Sequence, residues 1–303
     1  MNEHDRRLSR YGWRPADPPE RPELIVNPAS GGGKAARAAL ADRARERGIG
    51  VTVLRPDRSL ESLVGEAVEG GADALGIAGG DGSLAIVAAA AHAHGLPFVC
   101  IPAGTRNHFA LDLGVDRHDL VGALEAFIDG VERVIDVGSV NGRLFLNNVS
   151  VGIYGEAVRQ AAYRDAKART LLETAVRVLG PSESARDLRL ADDEGREHRD
   201  PPVVVVSNNP YVLDRTLAPG TRPRLDSGRL GVIVIAAPGT SPLPGRAWTA
   251  TSVEVGGPGP VHAGIDGEAV DLSTPLDFNI LPSALRVRIS ARHPGVSPSG
   301  LIP

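Results

Sequence analysis

Residues 73–84, Asp-Ala-Leu-Gly-Ile-Ala-Gly-Gly-Asp-Gly-Ser-Leu, constrain the fold more than any other stretch of the chain. The apolar run 74–78 is typical of a buried strand, the three glycines that follow predict a turn, and helix-forming residues begin at Ser83. This order of elements presents backbone N–H groups to a phosphate, and glycine lets the ligand approach the backbone closely. The stretch therefore predicts a phosphate site in an α/β domain.

An acidic residue, Asp81, lies inside this glycine turn. A carboxylate beside phosphate oxygens would repel them, so we expect Mg²⁺ or its waters between Asp81 and the phosphate. The residues from Gly80 also match the dinucleotide pattern G-x-G-x-x-A, but the acidic residue expected about 20 positions later is missing, because residues 101–103 are Ile-Pro-Ala. A dehydrogenase is therefore disfavoured.

Composition narrows the class of protein. With 303 residues, of which 42% are hydrophobic, the chain can form one large domain or two of medium size. A net charge of −4 does not indicate nucleic-acid binding. The single cysteine, Cys100, excludes an internal disulfide framework and favours a reducing compartment, so a cytoplasmic location is expected. The apolar stretch 84–101 contains His, Gly and Pro, so it reads as a helix and a strand, and any membrane contact is expected to be peripheral.

Strands alternate with helices between residues 23 and 101, which predicts right-handed βαβ units and a parallel sheet. A second glycine turn follows the strand 23–27, and the loop 102–107 follows the strand 97–101. Ligands of parallel sheets bind at the carboxyl ends of the strands. Since both glycine turns and the loop come at such ends, they predict one shared site.

Three of these segments resemble the N-terminal motifs of one family. Asn27-Pro-x-Ser-Gly-Gly, Gly79-Gly-Asp-Gly-Ser and Pro102-x-Gly-Thr-x-Asn are similar to those of the diacylglycerol kinase catalytic-domain family, which includes bacterial lipid kinases and sphingosine kinases and is more distantly related to NAD kinases. The resemblance continues through Asn147-Asn-Val-Ser-Val-Gly and ends near Gly264-Ile-Asp-Gly-Glu.

The resemblance implies a two-domain kinase that uses ATP and Mg²⁺ in a cleft between an α/β N-terminal domain with a parallel sheet and a second, mainly antiparallel β-sandwich domain. Short β-branched runs after Asp136 independently favour the antiparallel sheet. The chain is expected to have four parts. These are a flexible N-terminal tail (1–22), the α/β nucleotide-binding domain (23–136), the β-rich substrate domain (137–290) and a C-terminal tail (291–303). The implied nucleotide-binding residues are Asn27, Ser30, Gly31, Gly79, Gly80, Gly82, Ser83, Gly104, Thr105 and Asn107.

Two acids late in the chain, Asp266 and Glu268, are spaced so that a strand would place both carboxylates on one face. The resemblance puts this pair at the active site. We expect Glu268 to accept the proton of the substrate hydroxyl, with Asp266 as its partner, the alternative base or a metal ligand, and with Asp81 also at the catalytic centre. An Asp-Gly hairpin turn with solvated acids is the alternative interpretation.

Two residues depart from the family pattern. His108 stands where Asp is common, so contacts to nucleotide or metal are expected to differ there. Ser227 stands at the aspartate of a structural magnesium site and leaves Asp226 one position early, which makes that metal site doubtful.

The leading hypothesis is an ATP- and magnesium-dependent lipid kinase that phosphorylates a lipid hydroxyl, with diacylglycerol as the default acceptor by resemblance. The alternatives are a kinase of a soluble hydroxyl compound, as NAD kinases are, and a nucleotide- or lipid-binding sensor without catalysis. The expected partner is a lipid substrate at a membrane surface, and a homodimer stays open. Arginines in the N-terminal tail and in the helical stretch 154–179 are either solvated or in contact with anionic headgroups.

Overall fold

The computed structural model of the protein describes residues 3–152, 187–201, 203–212, 221–235 and 245–301. The chain divides into two compact units, one formed by Met1–Ile135 with Ser283–Pro303 and the other by Asp136–Pro282. No helix within the described residues has both the length and the apolar character that crossing a membrane requires. The predicted helix at 154–179, with its arginines, lies outside the described residues.

The helices and strands follow in chain order, beside 3-10 turns at Ser30–Gly32, Gly122–Phe127 and Pro298–Leu301: α1 (Glu3–Arg10), β1 (Arg14–Pro15), β2 (Pro22–Val26), α2 (Lys34–Arg37), α3 (Leu40–Arg45), β3 (Gly50–Val53), α4 (Leu60–Glu69), β4 (Ala74–Ala78), α5 (Asp81–Ala93), β5 (Phe98–Ile101), α6 (His108–Asp112), β6 (Gly130–Val140), β7 (Arg143–Phe145), β8 (Asn148–Gly152), β9 (Arg189–Asp192), β10 (Glu197–Arg199), β11 (Val203–Asn208), β12 (Leu230–Ile235), β13 (Gly245–Ala250), β14 (Ser252–Gly256), β15 (Val261–Ile265), β16 (Glu268–Leu272) and β17 (Leu276–Ser290).

The first unit contains the predicted parallel sheet. Its strands lie in the order β3, β2, β4, β5 and the end of β17, and every neighbouring pair is parallel. All five residues of β4 are buried, as expected for a central strand of a parallel sheet. The prediction of an α/β domain with a parallel sheet is confirmed, and the carboxyl ends of β2, β4 and β5 lie side by side.

Two helices differ in detail from the sequence expectation. The helical segment that follows the second glycine turn is interrupted, because Ala39 has a left-handed conformation with φ of 48° between α2 and α3. Helix α5 begins at Asp81 rather than at Ser83, because Gly80 is extended and already caps the helix. Gly82 therefore lies in the first helical turn and not in the glycine turn before it.

The N-terminal residues are packed on the first unit, so the prediction of a flexible tail is wrong for residues 3–22. Trp13 is 1% exposed, and its Nε1 donates a 2.6 Å hydrogen bond to the carbonyl of Gly295. The guanidinium of Arg133 covers the Trp13 ring at 5.0 Å, and β1 pairs with β6. Burial of the indole favours this packing over a loose tail, and it removes Trp13 from any membrane contact.

The C-terminal segment is also packed, through the buried side chain of His293. Its Nδ1 accepts a 2.9 Å hydrogen bond from the backbone N–H of Asp116. Its Nε2 lies 4.0 Å from Oδ2 of Asp119 and has no hydrogen-bond partner in the described part of the chain. Burial lowers the pKa of His293, although the carboxylates of Asp119 and Asp116 oppose this shift. The ring is therefore neutral in the folded protein, since a proton on Nδ1 would remove the acceptor of the Asp116 amide.

We expect the first unit to lose stability as the pH falls below about 6.5, the ordinary pKa of histidine. The unfolded chain then binds a proton that buried His293 does not, so acid favours unfolding by up to about 1.4 kcal/mol per pH unit. The measurement is urea unfolding from about pH 7.5 to about pH 5.5, followed by Trp13 fluorescence in a Trp248→Phe background. The variant His293→Gln should show a smaller slope, and an equal slope would contradict the role of His293.

The second unit contains two antiparallel sheets. One has the strand order β13, β12, β11, β8, β15 and β16, and the other includes β10, β9, β14 and the start of β17. Apolar side chains from both sheets form one core, for example Val149 and Val204 from the first and Leu190, Val253 and Phe278 from the second. The predicted antiparallel β-sandwich is confirmed.

The border of the second unit differs from the expected domain border. Residues 283–290 belong to the first unit because the end of β17 pairs in parallel with β5, with Val287 opposite Phe98. The expected C-terminal tail, from residue 291 onward, likewise belongs to the first unit, where Val296 is 5% exposed. Strand β17 thus starts in the second unit and ends in the first, which a periodicity argument does not detect.

Candidate active site

Three glycine-containing segments meet at the carboxyl ends of β2, β4 and β5. Gly31 follows β2 with φ of 56°, and a Cβ there would lie 2.3 Å from the carbonyl oxygen of Ala103. Gly104 follows β5, and a Cβ there would lie 2.7 Å from Cα of Gly80 and 3.2 Å from the carbonyl oxygen of Gly79. These contacts are too close for any other residue, so glycine at 31 and 104 allows the three segments to come together.

Asn107 is buried beneath the loop that follows β5. It is 2% exposed and has φ of 55°, a left-handed conformation that asparagine tolerates. Its Nδ2 donates to the carbonyl oxygens of Pro102 and Gly104, both at 3.0 Å. The remaining acceptor, Oδ1, has no hydrogen-bond partner among the described residues. A buried acceptor without a donor is costly, so this atom is available for an N–H or O–H group of a ligand.

Asp81 begins α5 and is half-buried. Its carboxylate oxygens accept long hydrogen bonds of 3.4 Å from the backbone N–H groups of His108 and Phe109. Burial raises the pKa of the Cys100 thiol well above its ordinary value, and the negative charge of Asp81 adds to the shift. The negative charge of Asp81 therefore acts on a residue at the end of β5. Because the two hydrogen bonds to Asp81 are long, they hold its carboxylate only weakly.

The other predicted residues of the first unit lie around the same strand ends. Asn27 donates its backbone N–H to Ala78 at 2.9 Å, and its Oδ1 accepts from the N–H of Ala29 at 3.1 Å. Ser30 bonds back to the carbonyl of Asn27, and Ser83 lies beside Gly79, whereas Thr105 is exposed. The structure thus brings the three predicted motifs of the first unit together, as their positions on the strands suggested.

The two acids of the second unit do not share a strand face, so that prediction was wrong. Asp266 and Gly267 form the two-residue turn between β15 and β16, with φ of 50° and 94°. Asp266 is 6% exposed, whereas Glu268 opens β16 and is exposed. An Asp-Gly pair favours this turn because both positions need positive φ, so the hairpin alternative describes the backbone correctly.

Asp266 is bound by the backbone of its own unit. Its Oδ2 accepts from the N–H of Leu146 at 2.8 Å, and its Oδ1 accepts from Asn147 at 2.7 Å and Asn148 at 3.1 Å. Both oxygens are thereby occupied, which favours a structural role over that of a base or a metal ligand. The exposed Glu268 is the acid of this pair that is accessible to a substrate.

The loop at 225–228 is held by hydrogen bonds. Ser227 donates through its backbone N–H and its Oγ to Oδ1 of Asn209, at 2.8 Å and 2.5 Å, and Gly228 donates to Asp136 at 2.7 Å. Asp226 is exposed and bonds to Arg224 at 2.9 Å.

Within the described ranges, no group of three or more His, Cys, Asp or Glu residues is arranged to hold a metal ion. The metal sites at Asp226, Asp266 and Asp81 stay predictions.

Sequence reasoning missed two basic residues. Lys34 donates a 2.9 Å hydrogen bond to the carbonyl of Gly104, which joins the first glycine segment to the third. Arg222 is 0% exposed and donates to the carbonyls of Leu146 and Asn208, both at 2.6 Å, and to Oδ1 of Asn147 at 2.9 Å. Lys34 could have been singled out because the chain contains only two lysines. No local sequence pattern distinguishes Arg222 from the other arginines.

Known proteins resemble the chain over most of its length. The model of the diacylglycerol kinase catalytic domain matches residues 22–140. A protein of Pseudomonas aeruginosa named "Probable lipid kinase YegS-like" is 31% identical over 299 residues, which cover 89% of this chain and 95% of that protein. The chain belongs to the diacylglycerol kinase catalytic-domain family. The predicted resemblance is confirmed, and the protein is a kinase.

Two further proteins add to the comparison. The diacylglycerol kinase of Bacillus subtilis is 43% identical over 77 residues, a quarter (25%) of each chain. A solved structure of a diacylglycerol kinase from Bacillus anthracis has a TM-score of 0.63, covers 89% of this chain and 96% of its own, and is 18% identical. At that identity the structure supports the fold of the two units and nothing more specific.

Proposed function

We propose that the protein transfers the γ-phosphoryl group of ATP to the hydroxyl group of a lipid, with diacylglycerol as the first acceptor to test. The observation that supports this most is the meeting of three glycine segments around the unpaired, buried acceptor of Asn107, in a family whose named members include lipid kinases. Close backbone approach suits the phosphates of a ligand, and the unpaired Oδ1 of Asn107 suits an N–H or O–H donor elsewhere on the same ligand.

The residues of the first unit fit a nucleotide with a divalent cation. The first turn of α5 has N–H groups without helical acceptors, which suit a phosphate. Asn107 Oδ1 would accept a hydrogen bond from the nucleotide. Asp81 would hold Mg²⁺, which needs only one or two carboxylates when phosphates and waters complete its shell. When bound, ATP supplies the phosphoryl group and Mg²⁺ supplies neutralising charge.

In the second unit, Glu268 would accept the proton of the lipid hydroxyl as its oxygen bonds to phosphorus and ADP leaves. The exposed position of this carboxylate is compatible with that role. Asp266 would support Glu268 by holding the turn that precedes it. The shared cleft for Asp81 and Glu268, the peripheral membrane contact and the homodimer stay predictions.

The test offers ATP radiolabelled at the γ-phosphate, with Mg²⁺, to mixed micelles of diacylglycerol, ceramide, sphingosine or phosphatidylglycerol, and to soluble NAD and glycerol. We expect label in a lipid product and none in NAD. If only a soluble acceptor carried the label, the substrate would be a soluble hydroxyl compound and not a lipid. ATP binding without labelled product in any arm would point to a sensor and overturn the proposed activity.

A further inference from the structure

Lys34 links two of the three glycine segments. It is one of only two lysines in the chain, and it opens α2 directly after the turn at Ser30–Gly33. Its Nζ donates to the carbonyl oxygen of Gly104 at 2.9 Å, a residue 70 positions later in the chain. The side chain thus spans the junction at which Gly31 contacts Ala103.

The Gly104 carbonyl receives two hydrogen bonds. Asn107 Nδ2 donates to the same oxygen at 3.0 Å, so the carbonyl is held from two sides by side chains of different segments. In a trans peptide the C=O and the following N–H point in opposite directions. Holding the Gly104 oxygen therefore also sets the direction of the Thr105 N–H, and Thr105 is exposed.

Arg37, one turn further along α2, makes a different contact. Its guanidinium donates to the carbonyl of Gly32, within the first glycine segment itself. Lys34 is thus the basic residue of α2 whose bond reaches the third segment. The Lys34 ammonium thus acts as a hydrogen-bond donor to the backbone of that segment.

We infer that Lys34 is a positioning residue of the nucleotide site: it holds the Gly104 carbonyl so that the Gly104–Thr105 peptide presents its N–H to the phosphates of the nucleotide. This inference rests on the proposed function. Fixed backbone donors bind an anion better than mobile ones because they lose less conformational freedom on binding. The loss of Lys34 should therefore weaken the binding of the phosphates and leave the adenosine part unaffected.

The experiment compares Lys34→Met, which keeps the length of the side chain without its donor, with Lys34→Arg and with Arg43→Met. Arg43 is an exposed residue of α3, and its substitution removes the same charge from a neighbouring helix. Affinities for ATP and adenosine are measured by calorimetry at low and high salt, with KM for ATP and for lipid, kcat and Tm. We expect Lys34→Met to weaken ATP binding at least about 10-fold and to raise KM for ATP, with kcat, adenosine binding and Tm little changed.

Lys34→Arg should recover most of the affinity, and Arg43→Met should stay within about 2-fold of the wild type. A positioning role predicts that the loss in Lys34→Met persists at high salt, because the backbone geometry is what changed. A loss that disappears at high salt would show a simple charge effect and overturn the inference. Unchanged ATP binding by Lys34→Met would overturn it too, whereas a wild type that binds no ATP would overturn the proposed function.

Discussion

Replacing Asp266 by alanine is expected to destabilise the second unit by about 3–5 kcal/mol, at the upper end of the range for single substitutions. The Asp266 carboxylate accepts hydrogen bonds from the amides of Leu146, Asn147 and Asn148, at 2.8, 2.7 and 3.1 Å, and it is buried. Alanine would leave all three amides without this acceptor and would also disfavour the φ of 50°. The measurement is urea unfolding followed by Trp248 fluorescence in a Trp13→Phe background.

Two matched variants separate the carboxylate from the backbone conformation. Asp266→Gly removes the acceptor but allows positive φ, so it should still lose about 2–4 kcal/mol. Asp266→Asn keeps one acceptor oxygen and also tolerates positive φ, so a loss of about 1–3 kcal/mol is expected. If Asp266→Gly were as stable as the wild type, the three amide contacts would carry no weight and the structural role of Asp266 would be wrong.

The substitution Glu268→Gln is expected to reduce turnover by about 10²- to 10⁴-fold while ATP affinity stays within about 2-fold. Glutamine cannot accept the proton of the substrate hydroxyl but keeps the size of the side chain. Because Glu268 is exposed, its substitution should change the free energy of unfolding by no more than about 0.5 kcal/mol. Labelled product formation and calorimetric ATP titration measure the two quantities on the same preparation.

Glu254→Gln is the matched control, since Glu254 is an exposed strand carboxylate of the same unit. Its turnover should equal that of the wild type. Full turnover by Glu268→Gln would remove the proposed proton acceptor and leave the catalytic base to another group. If the wild type shows no turnover and Glu268→Gln binds ATP as tightly as the wild type does, the result would instead favour a sensor without catalysis.

The two acids of the β15–β16 hairpin thus have opposite expected signatures. Substitution of Asp266 should lower stability, and substitution of Glu268 should lower turnover without a stability change. The sequence spacing alone suggested similar roles, because it assumed a continuous strand through both residues. The Asp-Gly turn reverses the chain between them, so Asp266 points to the amides of 146–148 and Glu268 is left exposed.

The candidate site of the first unit was largely predictable. Glycine turns after apolar runs are local signals, and the parallel order of β2, β4 and β5 brings their ends together. The start of α5 was misplaced because Gly80 takes the capping position, which moves Asp81 and Gly82 into the helix. The packing of Trp13 could not be predicted from its neighbours in the sequence, because its partner Gly295 lies at the other end of the chain. Residues 1–22 were therefore expected to form a loose tail.

The sequence by itself determined the family, the glycine segments and the parallel and antiparallel character of the two units, because these follow from local turn chemistry and hydrophobic periodicity. The tertiary structure alone decided that Asp266 binds backbone amides and that Lys34 and Asn107 meet at the Gly104 carbonyl. The physical reason is that hydrogen-bond partners far apart in the chain are selected by packing, and packing leaves no mark in the residues on either side.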